Sequence, residues 1–285
     1  MGLTIQGPSV EDQIKERLKG SEGAHWYRGD GTPAHRQEDG KHTTLRHARK
    51  AQKEDGVGLY PSVTSILKIA ANDTIERWKQ RMLLTAAYQY RNTDHDVEGW
   101  IDAVTTAAWS KSKTALDFGS EYHHYAWLHN TNQEVVPVPE MAPFYEGYQH
   151  WFNQAVVEVL EAETVLVHPS GFAGTADIIF RHSDYPGGKG SGDVIWVGDF
   201  KTQDVKAQYG PRAWPESATQ LAAYRKCITK KYPGKRVRCM NIVIDKNDSK
   251  RPLHEHVWSQ KEIDQGWLEF SAALKLWQAK KKYKP

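Results

Sequence analysis

Two short runs place charged side chains inside otherwise apolar stretches. In Gly198-Asp199-Phe200-Lys201 the residues just before, Val194 to Val197, are apolar or β-branched, so the run reads as a strand. Side chains two apart on a strand share a face, so Asp199 and Lys201 point the same way and Phe200 points to the other side. The preceding strand-like run, Gly174-Thr175-Ala176-Asp177-Ile178-Ile179, carries a second carboxylate, which a hairpin would set beside the first. Two close carboxylates repel, and a hard divalent cation with oxygen ligands removes that repulsion. Such an ion polarises a phosphoryl oxygen and lowers the pKa of water, while a nearby ammonium such as Lys201 orients that water or stabilises the charge of a pentavalent phosphorus. This is equipment for phosphodiester hydrolysis. An Asp-x-Lys run alone is commonly a surface ion pair, but an unpaired charge in an apolar strand is costly and usually has a partner or a function.

The elements that must position these residues follow from periodicity. Short apolar runs at 164–168, 171–181 and 194–202 read as strands separated by Gly, Pro, Ser and Asp, with a hairpin loop at 183–190. A helix is expected over 218–231, then strands near 237–244 and 255–258, then a helix with Ile263, Trp267, Phe270, Leu274 and Trp277 on one stripe. Before residue 160 the pattern is helical. Ser62 is placed to cap a helix carrying Val63, Ile66 and Leu67, and further helices are expected over 75–90, 97–109, 116–129 and 141–160. Residues 1–60 are polar and irregular and read as an appended region rather than core.

Composition narrows the class. With 285 residues and 39% apolar content the chain can bury a substantial core. Its 38 basic and 35 acidic residues nearly cancel, so attraction to a polyanion must come from local clustering. The two cysteines, Cys227 and Cys239, are too few for a disulfide framework, which points to a reducing cytoplasm. Glu11, Asp12 and Glu16 and the lack of an apolar run near the N-terminus speak against a secretory or transit signal. No run approaches the roughly 18 apolar residues of a membrane span.

The ordered set of Glu163, then Gly174-Thr175-Ala176-Asp177, then Asp199-Phe200-Lys201-Thr202, then Gln220-Leu221-Ala222-Ala223-Tyr224 resembles the PD-(D/E)xK nuclease superfamily. The branch it resembles is the RecB-type one, which includes phage exonucleases and the mitochondrial genome-maintenance exonuclease. The Tyr60-to-Leu67 run is also similar to a stretch of those proteins. The resemblance implies an α/β restriction-endonuclease-like core, a mixed central sheet flanked by helices, with an N-terminal helical region. It implies Asp177 and Asp199 as metal ligands, the Phe200 carbonyl as part of the shell and Lys201 as the catalytic lysine. Gly119-Ser120-Glu121-Tyr122-His123 is similar to the GxxxH helix motif of this branch, which makes His123 a nitrogen ligand, with His124 the fallback, and favours Mn²⁺ over Mg²⁺. Glu163 would bind a second metal or a metal-bound water. Gln220 would orient water or phosphate, with Tyr224 one helical turn on, and Thr202 would be a hydroxyl close to the site. Relatives that carry an iron–sulfur cluster need four cysteines, so no cluster is expected.

The implied domain plan is a polar extension over 1–60, a helical region over the cleft at 61–114 and a nuclease core at 115–285. The implied activity is metal-dependent exonucleolytic hydrolysis of DNA, single-stranded or with a free end, in replication, recombination or repair. A same-fold endonuclease and a catalytically silent DNA-binding protein are the rivals, and the second would have lost an acid or the lysine. Arg46, Arg49 and Lys50 are the first candidates for DNA contact, with Lys53, Arg77, Lys79, Arg81, Lys206, Arg212 and the terminal lysines behind them. Trp78 and Trp109 are candidates for stacking on bases.

Overall fold

The structure is a computed structural model that describes residues 25–70, 73–91, 96–183 and 193–285. In chain order its elements are β1 (Trp26–Tyr27), α1 (Leu45–Asp55), β2 (Tyr60–Pro61), α2 (Val63–Leu67), α3 (Asp73–Gln89), α4 (Val97–Asn130), α5 (Ala142–Ala155), β3 (Val156–His168), β4 (Phe172–His182), β5 (Val194–Gln203), α6 (Pro215–Lys231), β6 (Arg236–Asp245), β7 (His254–Val257) and α7 (Gln260–Lys281).

Strands β3 to β7 form one five-stranded sheet in sequential order, and β5–β6 is its parallel pair. A parallel connection needs a crossover, which α6 supplies. Strand β5 is buried over its first seven residues, as expected of a strand covered on both faces. Successive side chains feed opposite cores: Ile195 and Val197 pack with Leu221, Ile228, Phe270 and Leu274 of α6 and α7, while Trp196 and Phe200 pack with Tyr122, Tyr148 and Trp151 of α4 and α5. The chain is therefore a mixed α/β sandwich, with helices on both faces of a mixed sheet.

Several local expectations are corrected. The helices expected at 97–109 and 116–129 are one helix of 34 residues, because the polar stretch between them contains no Gly or Pro to stop it. The proposed boundary at residue 114 thus lies inside α4. The helix expected over 141–160 ends at Ala155, and β3 begins at Val156, where a run rich in β-branched residues pairs with β4. The expected 183–190 loop lies, apart from Ser183, outside the described residues.

Residues 25–60 are part of the core rather than an appendage. Trp26 is 2% exposed and its ring meets Trp277 and Tyr283 at 6.2 and 6.0 Å, while Ala48 and Leu59 join the same cluster. These apolar residues are too widely spaced among polar ones to show a period, yet each is buried. Ser62 caps α2 by accepting the Ser65 N–H at 3.0 Å, and Val63 and Ile66 are fully buried.

His168 closes the turn between β3 and β4. Its ring stacks on Phe172 at 4.7 Å, and its Nδ1 accepts the Ser170 N–H at 3.2 Å, which requires that nitrogen to be unprotonated. Burial, with Lys230 and Lys226 nearby, lowers its pKa from 6.5 to about 4. The unfolded chain therefore takes up this proton first, so the stability involved is full above pH 6.5 and is lost as pH falls towards 4. Thermal melts of His168→Gln are expected to show a shallower loss of Tm than the parent between about pH 6.5 and 4.5.

Candidate functional site

The sheet register lines up polar residues in one row. Glu163 lies between the pairs Ala162–Ile178 and Thr164–Ala176, opposite Asp177. The pair Ile178–Gly198 makes Asp199 the next residue across from Asp177. Asp199 then pairs with Asn241, and Asn241 with His256. Cross-strand neighbours sit about 5 Å apart, so adjacent strands deliver three carboxylates and an amide side by side.

The sheet also forks at this row. Strand β4 pairs with β5 only from Ile178 to Phe180, whereas β5 stays with β6 through Gln203 and β4 stays with β3 through Phe172. Beyond Gly198 the two halves part. The backbone N–H of Phe200 donates to Asp177 Oδ2 at 2.7 Å, so the carboxylate fixes the opening. Two glycines permit the packing around it. A Cβ on Gly198 would meet Ile242 and Ile178 at 2.7 and 2.8 Å, and one on Gly174 would lie 2.6 Å from the Tyr224 ring.

Helices from both layers reach the fork. From α4, His123 Nδ1 lies 3.6 Å from both Glu163 Oε1 and Asp177 Oδ2. One ligand atom from each of these three residues falls within 4.8 Å of the others. Glu163 is 7% exposed and has a left-handed backbone with φ of 46°, a conformation that costs a non-glycine residue about 1–3 kcal/mol. His124, the next residue of the helix, instead stacks on Trp127 at 6.0 Å. From α6, Gln220 Nε2 donates to Asp199 Oδ1 at 3.0 Å and to the Tyr224 hydroxyl at 3.1 Å.

Asp199, 2% exposed, accepts from three side-chain donors. Its Oδ2 accepts from Lys201 Nζ at 2.7 Å and from Asn241 Nδ2 at 2.7 Å, and Lys201 also reaches Gln220 Oε1 at 3.5 Å. The structure therefore sorts the acids. Glu163 and Asp177 turn towards His123, and Asp199 turns towards the ammonium.

The electrostatics show a site short of positive charge. Burial, reinforced by Asp199 and Glu163 against His123 and Lys201, raises the Asp177 pKa to about 7. Burial opposes protonation of His123, but Asp177 and Glu163 outweigh it and raise its pKa to about 9. Burial likewise opposes the Lys201 charge, and Asp199 and Asp177 reverse the effect and raise its pKa. Protons thus do part of the work of balancing the carboxylates, which is the electrostatic setting in which a cation exchanges for protons.

Other residues singled out in the sequence fall elsewhere. Thr202 is half-buried on β5, where α4 crosses closely: a Cβ on Gly119 would lie 3.3 Å from its hydroxyl. On α1, Arg46 is exposed, Arg49 donates to the Lys281 carbonyl at the end of α7, and Lys50 faces Glu54 at 3.8 Å. Trp78 and Trp109 lie against each other at 6.2 Å between α3 and α4.

Asn241 and Trp258 were not anticipated as part of this row. A signal was available, since an amide inside Cys239-Met240-Asn241-Ile242-Val243 must find hydrogen-bond partners when its strand is buried. The contact between the Tyr27 hydroxyl and Thr175 Oγ1, 3.1 Å, also had no sequence signature.

No helix among the described residues is long and apolar enough to cross a membrane. No protein-family model and no curated protein matches the sequence. Among solved structures, a candidate exonuclease from Eubacterium rectale is similar with a TM-score of 0.40 and 10% identity, over 64% of this chain and 74% of that one.

Because the Gly174 position is filled by the Tyr224 ring, Gly174→Ala is expected to destabilise the fold by about 1–3 kcal/mol through overpacking. Denaturant unfolding would show the loss as a lower midpoint at unchanged slope.

Proposed function

We propose that this chain is a divalent-metal-dependent DNA nuclease of the PD-(D/E)xK type, RecB-like, which hydrolyses phosphodiester bonds from a DNA end as phage exonucleases do. The observation that carries the proposal is the convergence of Glu163, Asp177, Asp199, Lys201 and His123 on one fork of the sheet.

The donor set fits a hard or borderline cation, with carboxylate oxygens and one imidazole nitrogen gathered within 4.8 Å. Asp177, Glu163 and His123 would hold it, and Asp199 and the Phe200 carbonyl would complete the shell. A bound Mg²⁺ or Mn²⁺ supplies Lewis acidity towards a phosphoryl oxygen and eases deprotonation of the attacking water.

The remaining work belongs to side chains. Lys201, held protonated by Asp199, presents N–H donors to the phosphate as negative charge grows on its oxygens. Gln220 bridges Asp199 and the Tyr224 hydroxyl, so it holds the lysine's counter-ion in one orientation, and its amide would stand beside the attacked phosphate. Thr202 offers a hydroxyl one residue further along β5.

DNA would reach this fork along the α3–α4 arm and α1. The arm has its own small core of Ala86, Val104 and Ala108, which leaves Arg77, Arg81, Leu84 and Tyr88 on the surface of α3 lining one open groove. Arg91 lies over the Tyr88 ring at 3.9 Å. Guanidinium groups beside an exposed ring suit phosphates and unstacked bases of a single strand. Arg46 and Lys50 would add phosphate contacts from α1, where Arg49 is engaged with α7.

Three measurements test this. With Mg²⁺ or Mn²⁺, end-labelled DNA should shorten progressively while circular DNA survives, and Lys201→Ala should cut about 10²–10³-fold more slowly. Cutting of circles would make the enzyme an endonuclease, and DNA binding without cleavage in either metal would make it a silent binder. Calorimetric titration of His123→Ala should show Mn²⁺ affinity falling more than Mg²⁺ affinity, because the lost ligand is a nitrogen. Arg77→Glu with Arg81→Glu should raise KM with little change in kcat and flatten the salt dependence of binding by about one unit of slope per lost phosphate contact.

A further inference from the structure

We propose that Trp258 and Asn241 form a positioning pair that sets the orientation of the Asp199 carboxylate and, through it, of the Lys201 ammonium. This rests on the nuclease reading for its catalytic meaning, although the structural linkage stands by itself.

Asn241 has no exposed surface and lies directly beside Asp199 in the parallel register of β5 and β6. Its amide has an accepting end and a donating end, and exchanging them would turn attraction to a carboxylate into repulsion. The exchange is blocked from behind. Trp258 Nε1, which can only donate, bonds to Asn241 Oδ1 at 2.7 Å. That contact leaves Nδ2 facing Asp199, where it donates to Oδ2 at 2.7 Å and lies 3.3 Å from the Asp199 carbonyl. The indole therefore decides which end of the amide the acid meets.

Gln220 holds the other carboxylate oxygen, so the plane of the carboxylate is gripped from both sides. Lys201 has a flexible stem and a side chain 34% exposed, and it takes its position from Oδ2 at 2.7 Å. With the amide free to turn, the carboxylate would lose one of its donors and the ammonium would spread over more positions. Trp258 is 7% exposed and packs in the core of the α6–α7 layer, so replacing it with phenylalanine removes the donor and keeps most of the apolar contact.

The test combines activity with a measurement that does not need it. Trp258→Phe should lower kcat about tenfold with KM for DNA nearly unchanged, because the substrate-binding surface is untouched. In thermal melts without added metal, Trp258→Phe and Asp199→Asn should be non-additive, the double variant losing less Tm than the sum of the two single losses. A Trp258→Phe enzyme with the parent's kcat, or strictly additive Tm losses, would overturn the pairing while leaving the nuclease reading intact. If the parent protein cuts no DNA, the nuclease reading fails and the melts alone decide whether the linkage exists.

Discussion

The parting of β4 and β5 beyond Gly198 is the constraint on which the site depends. Up to that residue the strands are held by ordinary antiparallel pairing, and past it each half follows its own neighbour. A continuous sheet would have spent the Phe200 N–H on a ladder bond and closed the space that His123 and Gln220 enter from opposite layers. The Asp177 carboxylate takes that N–H, so one acid both holds the fork open and belongs to the cluster inside it.

The cost of this arrangement is concentrated in charge. Buried carboxylates on neighbouring strands repel, and His123 and Lys201 face them, with the pKa values of His123, Lys201 and Asp177 all raised. Division of labour among the acids follows from their neighbours. Asp199 is surrounded by donors and remains tied to the lysine, while Glu163 and Asp177 face the imidazole. Glu163 keeps this place despite a left-handed backbone, which shows that pairing of β3 with β4 on both sides over-determines its position.

Much of this was legible in the sequence because strand geometry has a period of two. That period put Asp199 and Lys201 on one face, and apolar runs ending in turn residues brought Asp177 alongside. His123 stood out only through its resemblance to a helix motif, since one histidine on a helix has no periodic signature. The start of β3 at Val156 was hidden by a preceding stripe of aromatic residues that continues smoothly into it. Trp26 and Leu59 were hidden for the opposite reason, each beside a tyrosine in a stretch too short to show a period, and they become core only once α7 packs against them. The fork itself leaves no local pattern, being set by where long-range pairing stops.

The uninterrupted course of α4 has a mechanical consequence. One rod of 34 residues, about 50 Å long, runs from Val97 in the arm to Asn130 and carries His123 near its far end. The same rod passes β5 at Gly119, where an added Cβ would lie 3.3 Å from the Thr202 hydroxyl. The arm and the cluster therefore share one continuous backbone, and the bare Cα of residue 119 is what lets that backbone run so close to the sheet.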